Sequence, residues 1–112
     1  MTIITSPMTK SDLRTMAERS FGNLVKAVVD IEKRIMAIDS DLHADEEAEL
    51  LRYGSQQENL WGINLYLKND TDEYIEFDSM INIRPGQGNM TRGVDNKAIQ
   101  KKIKEIVHML IR

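Results

Sequence analysis

Residues 61–67 and 75–83 constrain the fold more than any other part of this chain. Trp61, Ile63, Leu65 and Leu67 alternate with Gly62, Asn64 and Tyr66, and after a polar stretch at 68–73 the residues Ile75, Phe77, Ile81 and Ile83 repeat the pattern. A period of two puts alternate side chains on opposite faces of a strand. The two runs therefore predict two antiparallel strands that send their apolar sets to one core. If Leu67 pairs with Ile75, Asn64 falls opposite Asp78 and Glu58 opposite Arg84. The other registers of the same parity slide these partners by two without exchanging the faces. A polar face carrying Asn64 and Asp78 is expected opposite the core.

The remaining segments supply elements to pack around that hairpin. Residues 2–6 are β-branched and stop at Pro7, which predicts a short first strand. Thr9 and Asp12 have capping-box spacing, and Leu13, Met16, Ala17 and Phe21 then recur at helical spacing before Gly22. Residues 24–31 and 35–39 flank the charged triplet Glu32, Lys33 and Arg34, as in a hairpin with a polar turn. Val25, Ala27, Val29 and Ile31 share one face of its first strand, with Lys26 and Asp30 opposite. Residues 44–53 are rich in helix formers, with Asp45, Glu46 and Glu47 in the first turn, where carboxylates complement the helix dipole. Ile99, Ile103, Ile106, Val107 and Leu110 trace the apolar stripe of a last helix. The order β-α-β-β-α-β-β-α predicts an α+β fold: a mainly antiparallel sheet of about five strands with three helices, packed on one side. A chain of 112 residues suits a single domain, 1–112.

Charge and composition narrow the functional classes. Fifteen basic and eighteen acidic residues leave a net charge of −3 with the signs interspersed, so no basic field draws in nucleic acid. Without cysteine, a disulfide framework, a zinc knuckle and a thiol nucleophile all drop out. The first residues lack the charge and length of a signal peptide, and no apolar run nears the roughly twenty residues of a membrane span. A soluble, cytoplasmic protein is expected. The sequons at Asn69 and Asn89 carry no weight in that setting.

Four blocks of the sequence carry a resemblance: Val28 to Glu32; His43 to Glu47; Gln57 to Asn64, through Trp61 and Gly62; and Phe77 to Pro85. Together they resemble a family of small prokaryotic proteins defined as a domain of unknown function, over nearly the whole chain. The resemblance implies no activity, cofactor or partner.

Three polar clusters remain as places where chemistry could sit. Glu58, Asn59, Asn64, Asp78, Asn82 and Arg84 gather on and beside the central hairpin. A strand needs a solvated face, but Asn and Asp form strands poorly, and their presence suggests a task beyond solvation. Residues 84–93 form a loop dense in glycine between Arg84 and Arg92, whose guanidiniums could grip a phosphate or carboxylate. It matches neither phosphate-loop nor dinucleotide patterns, and an ordinary surface loop explains it too. His43 precedes Asp45 and Glu46; such a group can bind a metal, although carboxylates there also serve a helix start. Trp61 points inward and reads as core, His108 as a structural residue in the last helical turn, and the lysines of the last helix as a solvated face.

The leading reading is a non-catalytic module that binds a small anionic or phosphate-bearing ligand, with Arg84, Asn89 and Arg92 on the anion and Asn64, Asp78 and Asn82 as hydrogen-bonding residues. It calls for no cofactor, and catalytic residues stay unassigned. One alternative is a small metal-assisted hydrolase using His43, Asp45, Glu58 and Asp78. The other is a homo-oligomeric interaction or regulatory protein, such as a homodimer that covers an open sheet edge by symmetric pairing.

Overall fold

A computed structural model describes residues 1–67 and 74–112; the predicted polar loop at 68–73, with Asn69, lies outside the described residues. Five strands form one antiparallel sheet: β1 (Thr2–Ile4), β2 (Leu24–Asp30), β3 (Ile35–Ile38), β4 (Leu60–Tyr66) and β5 (Ile75–Glu76), in the order β1-β3-β2-β4-β5. Among the described residues three α-helices accompany it: α1 (Lys10–Glu18), α2 (His43–Tyr53) and α3 (Lys97–Leu110). The protein is an α+β fold, as its patterning predicts.

Local chemistry explains most boundaries. The Thr9 hydroxyl accepts the Asp12 N–H at 3.0 Å and so caps α1. That helix ends at Glu18, leaving Phe21 outside the predicted stripe and 44% exposed, with the Lys26 ammonium 5.1 Å above its ring. Strands β2 and β3 meet through a turn at 31–34, where Asp30 Oδ1 accepts the N–H groups of Glu32 and Lys33, each at 2.9 Å. Asn96 caps α3 by accepting the N–H groups of Ala98 and Ile99. At the end of α2, Gly54 takes the left-handed conformation at φ 113°, which a glycine reaches without a Cβ clash.

The core has two layers rather than the one-sided arrangement expected. Val25, Ala27, Val29, Met36, Ile38, Trp61, Ile63 and Leu65 face α1 and α3, meeting Leu13, Ala17, Ile103, Ile106, Val107 and Leu110. The alternate residues Val28, Ile35, Ala37 and Leu60 face α2 and bury Leu50. The face of the central strands that was expected to be solvated is therefore largely covered. Its polar residues sit along the margin of α2 instead of in open water.

Two expectations for the second half of the hairpin are corrected. Pairing joins Leu65 to Ile75 and Asn64 to Glu76, a register slid by two from the Leu67–Ile75 pairing, so Asn64 is not opposite Asp78 nor Glu58 opposite Arg84. The expected strand at 75–83 also stops after Glu76, and Met80–Asn82 form a 3₁₀ turn. Ser79 starts that turn by accepting the Ile81 N–H on its own Oγ. As a result Ile75 and Phe77 pack toward α1 and α3, Ile81 packs toward α2, and Ile83 is exposed.

Candidate functional site

Once the chain leaves the sheet at Glu76, the backbone groups of β4 need other partners. Asn82, fully buried, provides them at Gly62. Its Oδ1 accepts the Gly62 N–H at 2.8 Å and its Nδ2 donates to the Gly62 carbonyl at 2.9 Å, as a paired strand would. The same amide also donates to the Arg92 carbonyl at 2.9 Å. Arg84 donates to the Leu60 and Gln57 carbonyls while its guanidinium stacks 4.2 Å from the Trp61 ring centroid. Burial lowers the Arg84 pKa from its ordinary value, opposed by the Glu47 carboxylate.

The glycine loop is closed in the same way. Pro85–Gln87 form a 3₁₀ turn, and the N–H groups of Gln87, Gly88 and Asn89 donate to the carbonyls of Arg84, Pro85 and Arg84. Those amides already have partners and do not form a nest for an anion. Asn89 is 3% exposed; it donates to the carbonyls of Asn82, Thr91 and Gly93 and accepts the Asp95 N–H at 2.8 Å. Its Ala variant strands four backbone groups. We expect Asn89→Ala to lower unfolding free energy by about 2–3 kcal/mol in a urea titration. A loss under about 0.5 kcal/mol, within the range of ordinary surface changes, would contradict the hub role.

Of the six residues expected to bind ligand, then, Asn82 and Asn89 have their polar atoms committed to backbone, and Arg84 spends its terminal nitrogens on the Gln57 and Leu60 carbonyls and on Gln87 Oε1, while its buried Nε has no partner among the described residues. The structure brings the other three together. Asn64, Asp78 and Arg92 line a cleft of about 230 Å³ with Lys26, His43 and Ser79, and Leu42, Met80 and Ile81 form its apolar part. Arg92 Nε donates to Asp78 Oδ1 at 2.7 Å, an exposed pair worth little to stability but one that fixes the guanidinium beside the cleft. Asn64 Nδ2 donates to Glu76 Oε1 at 2.9 Å and to the Asp78 carbonyl at 3.3 Å. Its Oδ1 is buried and has no hydrogen-bond partner among the described residues.

The start of α2 forms the opposite wall. Its N-cap is Leu42, which has no side chain able to accept, and the N–H groups of His43 and Ala44 carry no hydrogen bond among the described residues. Unpaired amides and the positive end of the helix dipole thus open on the cleft. His43 anchors this helix end to the sheet: its Nε2–H donates to the Ile63 carbonyl at 2.8 Å. Burial lowers the His43 pKa below its usual value; the Lys26 charge adds to this, while the Ile63 carbonyl, Asp78 and Asn64 oppose it. Burial thus favours the neutral ring.

Next to it lies a group that sequence patterning placed beside His43 as a helix-start carboxylate or a metal ligand, and not as a buried acid. Glu46 is fully buried, and its carboxyl is pushed up to about 9, chiefly by desolvation; the Ser40 N–H, donating to Oε2 at 3.2 Å, and Lys26 pull the other way. Glu46 is uncharged at neutral pH. Its spacing of four from Leu50 was a usable signal, because it sets both on the inward face of α2. Lys26 was also missed as a site residue; it was legible as a cation two residues before Val28, on the same face of β2.

His43 and Asp78, two of the hydrolase residues, share the cleft, but Asp45 and Glu58 do not line it. Among the described residues no three His, Cys, Asp or Glu side chains are placed to hold a metal ion. No helix among them is long and apolar enough to cross a membrane. Neither the curated proteins nor the solved structures contain a match to the chain. A family model described as a protein of unknown function (DUF5674) matches residues 2–110, and the chain belongs to that family.

Proposed function

We propose that this protein is a non-catalytic binding module for a small anionic or phosphate-bearing ligand, seated in the cleft at the start of α2. The observation that carries the reading is the uncapped helix N-terminus facing a cleft that also holds Lys26 and Arg92. Free amides, a helix dipole and two cations favour an anion at one point. Arg92 is held through Nε by Asp78, which leaves its two terminal nitrogens for a forked contact. Leu42 and Met80, 56% and 65% exposed, suit a ligand with a small apolar portion beside its charge. Asn64 Oδ1 suits a hydroxyl or amine donor on the same molecule. Compared with the reading from sequence alone, the anion contacts pass from Arg84 and Asn89 to Lys26, Arg92 and the α2 amides.

The test is two-dimensional NMR of labelled protein titrated with inorganic phosphate, acetate, nucleotides and phosphorylated metabolites. Saturable shifts at Lys26, His43, Ala44, Asn64 and Arg92, lost in Lys26→Met and Arg92→Met variants that still fold, are the expected result. Silence at these positions across the panel, or affinity unchanged in both variants, rejects the proposal. Binding should also tighten as pH falls below His43's depressed pKa, since protonation adds a positive charge to the cleft. Affinity flat from neutrality to the acid limit of the fold would exclude His43 from the site.

A further inference from the structure

A second cleft lies at the other end of α2, between the β2–β3 turn, Gly54 and the 3₁₀ turn Gln57–Asn59. It measures about 220 Å³ and is lined by Asp30, Glu32, Lys33, Gly54, Gln56 and Asn59. Asp30 is only 1% exposed. Its Oδ1 is used by the N–H groups of Glu32 and Lys33, but its Oδ2 is buried with no hydrogen-bond partner among the described residues. A buried carboxylate oxygen needs a donor or a cation to offset its desolvation.

The surroundings favour a cation. Asn59 Nδ2 donates to Glu32 Oε2 at 2.7 Å, which orients the Glu32 carboxylate and leaves the Asn59 amide oxygen as a further donor atom. Gly54 marks the C-terminal end of α2, the negative end of its dipole. Lys33, which also lines the cleft, is the internal competitor, and its ammonium sits beside Gly54 and the Tyr53 ring. Nζ lies 3.6 Å from the position a Gly54 Cβ would occupy and 5.9 Å from the centroid of the Tyr53 ring. It forms no ion pair with Asp30 or Glu32.

We infer that this cleft is a site for a hard divalent cation of the Mg²⁺ or Ca²⁺ type, with Asp30 and Glu32 as charged ligands and the side-chain oxygens of Asn59 and Gln56, together with water, completing the shell. All four side chains present oxygen, the ligand such ions take, and no soft donor lines the cleft. With two carboxylates and a lysine nearby, the dissociation constant should fall on the order of 10⁻⁴–10⁻³ M. The site is independent of the anion cleft.

Labelled protein titrated with Mn²⁺ locates such a site by paramagnetic broadening, and Mg²⁺ or Ca²⁺ then competes. The expected result is saturable broadening centred on Asp30, Glu32, Lys33 and Asn59, relieved by one of the diamagnetic ions. Asp30→Asn should weaken binding about tenfold or more while retaining the Oδ1 acceptor that holds the turn. Should that variant fail to fold, Glu32→Gln serves the same purpose without touching the turn. Diffuse broadening over the acidic surface, or undiminished affinity in the folded variants, overturns the inference.

Discussion

Alanine at position 62 should destabilise the protein by about 3 kcal/mol, despite adding one methyl group. That methyl would stand 2.5 Å from Ser79 Cβ, 2.6 Å from Ser79 Oγ and 3.1 Å from Ile81 Cγ1. Ser79 has little room to retreat: its N–H donates to the Arg92 carbonyl at 2.9 Å, and its Oγ holds the Ile81 N–H. Moving the segment would also pull Asn82 from both backbone groups of Gly62. Urea unfolding of Gly62→Ala measures the loss, and Ser79→Gly in the same background should restore part of it through coupling between the two sites. A Gly62→Ala protein within 0.5 kcal/mol of the parent, roughly the range of surface substitutions, would show that the 79–82 segment yields freely.

Glu46→Gln should act in the opposite direction, raising stability at pH 7 by about 2–3 kcal/mol. The sign follows from the two states. Unfolding returns the carboxyl from about 9 to its ordinary 4.5, so above 4.5 the unfolded chain sheds a proton that the folded one keeps. The folded state binds the extra proton, and stability is complete below pH 4.5 and declines as pH rises toward 9. Each pH unit between those values weighs about 1.4 kcal/mol for this group. Glutamine imitates the protonated acid, keeping an acceptor for the Ser40 N–H, and removes the decline. Thermal unfolding from pH 5 to 9 should show the parent losing its melting temperature with rising pH and the variant nearly level over the part due to this residue. Parallel curves for the two proteins would mean that Glu46 ionises normally in the fold.

Most elements were legible because they rest on local rules. Thr9 with Asp12 marked the first helix, the charged triplet at 32–34 marked a turn, and the alternation from Trp61 identified β4 and its inward aromatic. What escaped was decided by tertiary contact. Ile81 and Ile83 kept the parity of a strand, yet Ser79 offered the backbone a local turn and Asn82 replaced the ladder. Gly62 was the readable warning, since a glycine inside a strand often marks a close approach by other atoms. The covering of both sheet faces was harder to see, because Val28, Ala37 and Leu60 are apolar residues on the face that Lys26 and Asn64 made look polar. Asn64 and Asp78, chosen for their unusual chemistry on or near strands, and Arg92, chosen as a guanidinium flanking the glycine loop, line the candidate cleft. The same two criteria selected Arg84, Asn82 and Asn89, because a side chain that serves backbone and one that serves a ligand carry the same polar groups.

The bonds along β4 also bear on how this molecule meets copies of itself. On the side away from β2, the Leu60 N–H goes to Gln57 and its carbonyl to Arg84, Gly62 is held at both groups by Asn82, Asn64 pairs within β5, and the Tyr66 N–H donates to the Tyr74 carbonyl at 2.7 Å. Side chains finish a seam that a two-residue strand leaves open, and they leave no template on β4 for an incoming strand. Cutting Asn82 or Arg84 back to alanine would therefore change colloidal behaviour as well as stability, by giving an adhesive border to a molecule that otherwise closes itself on that side.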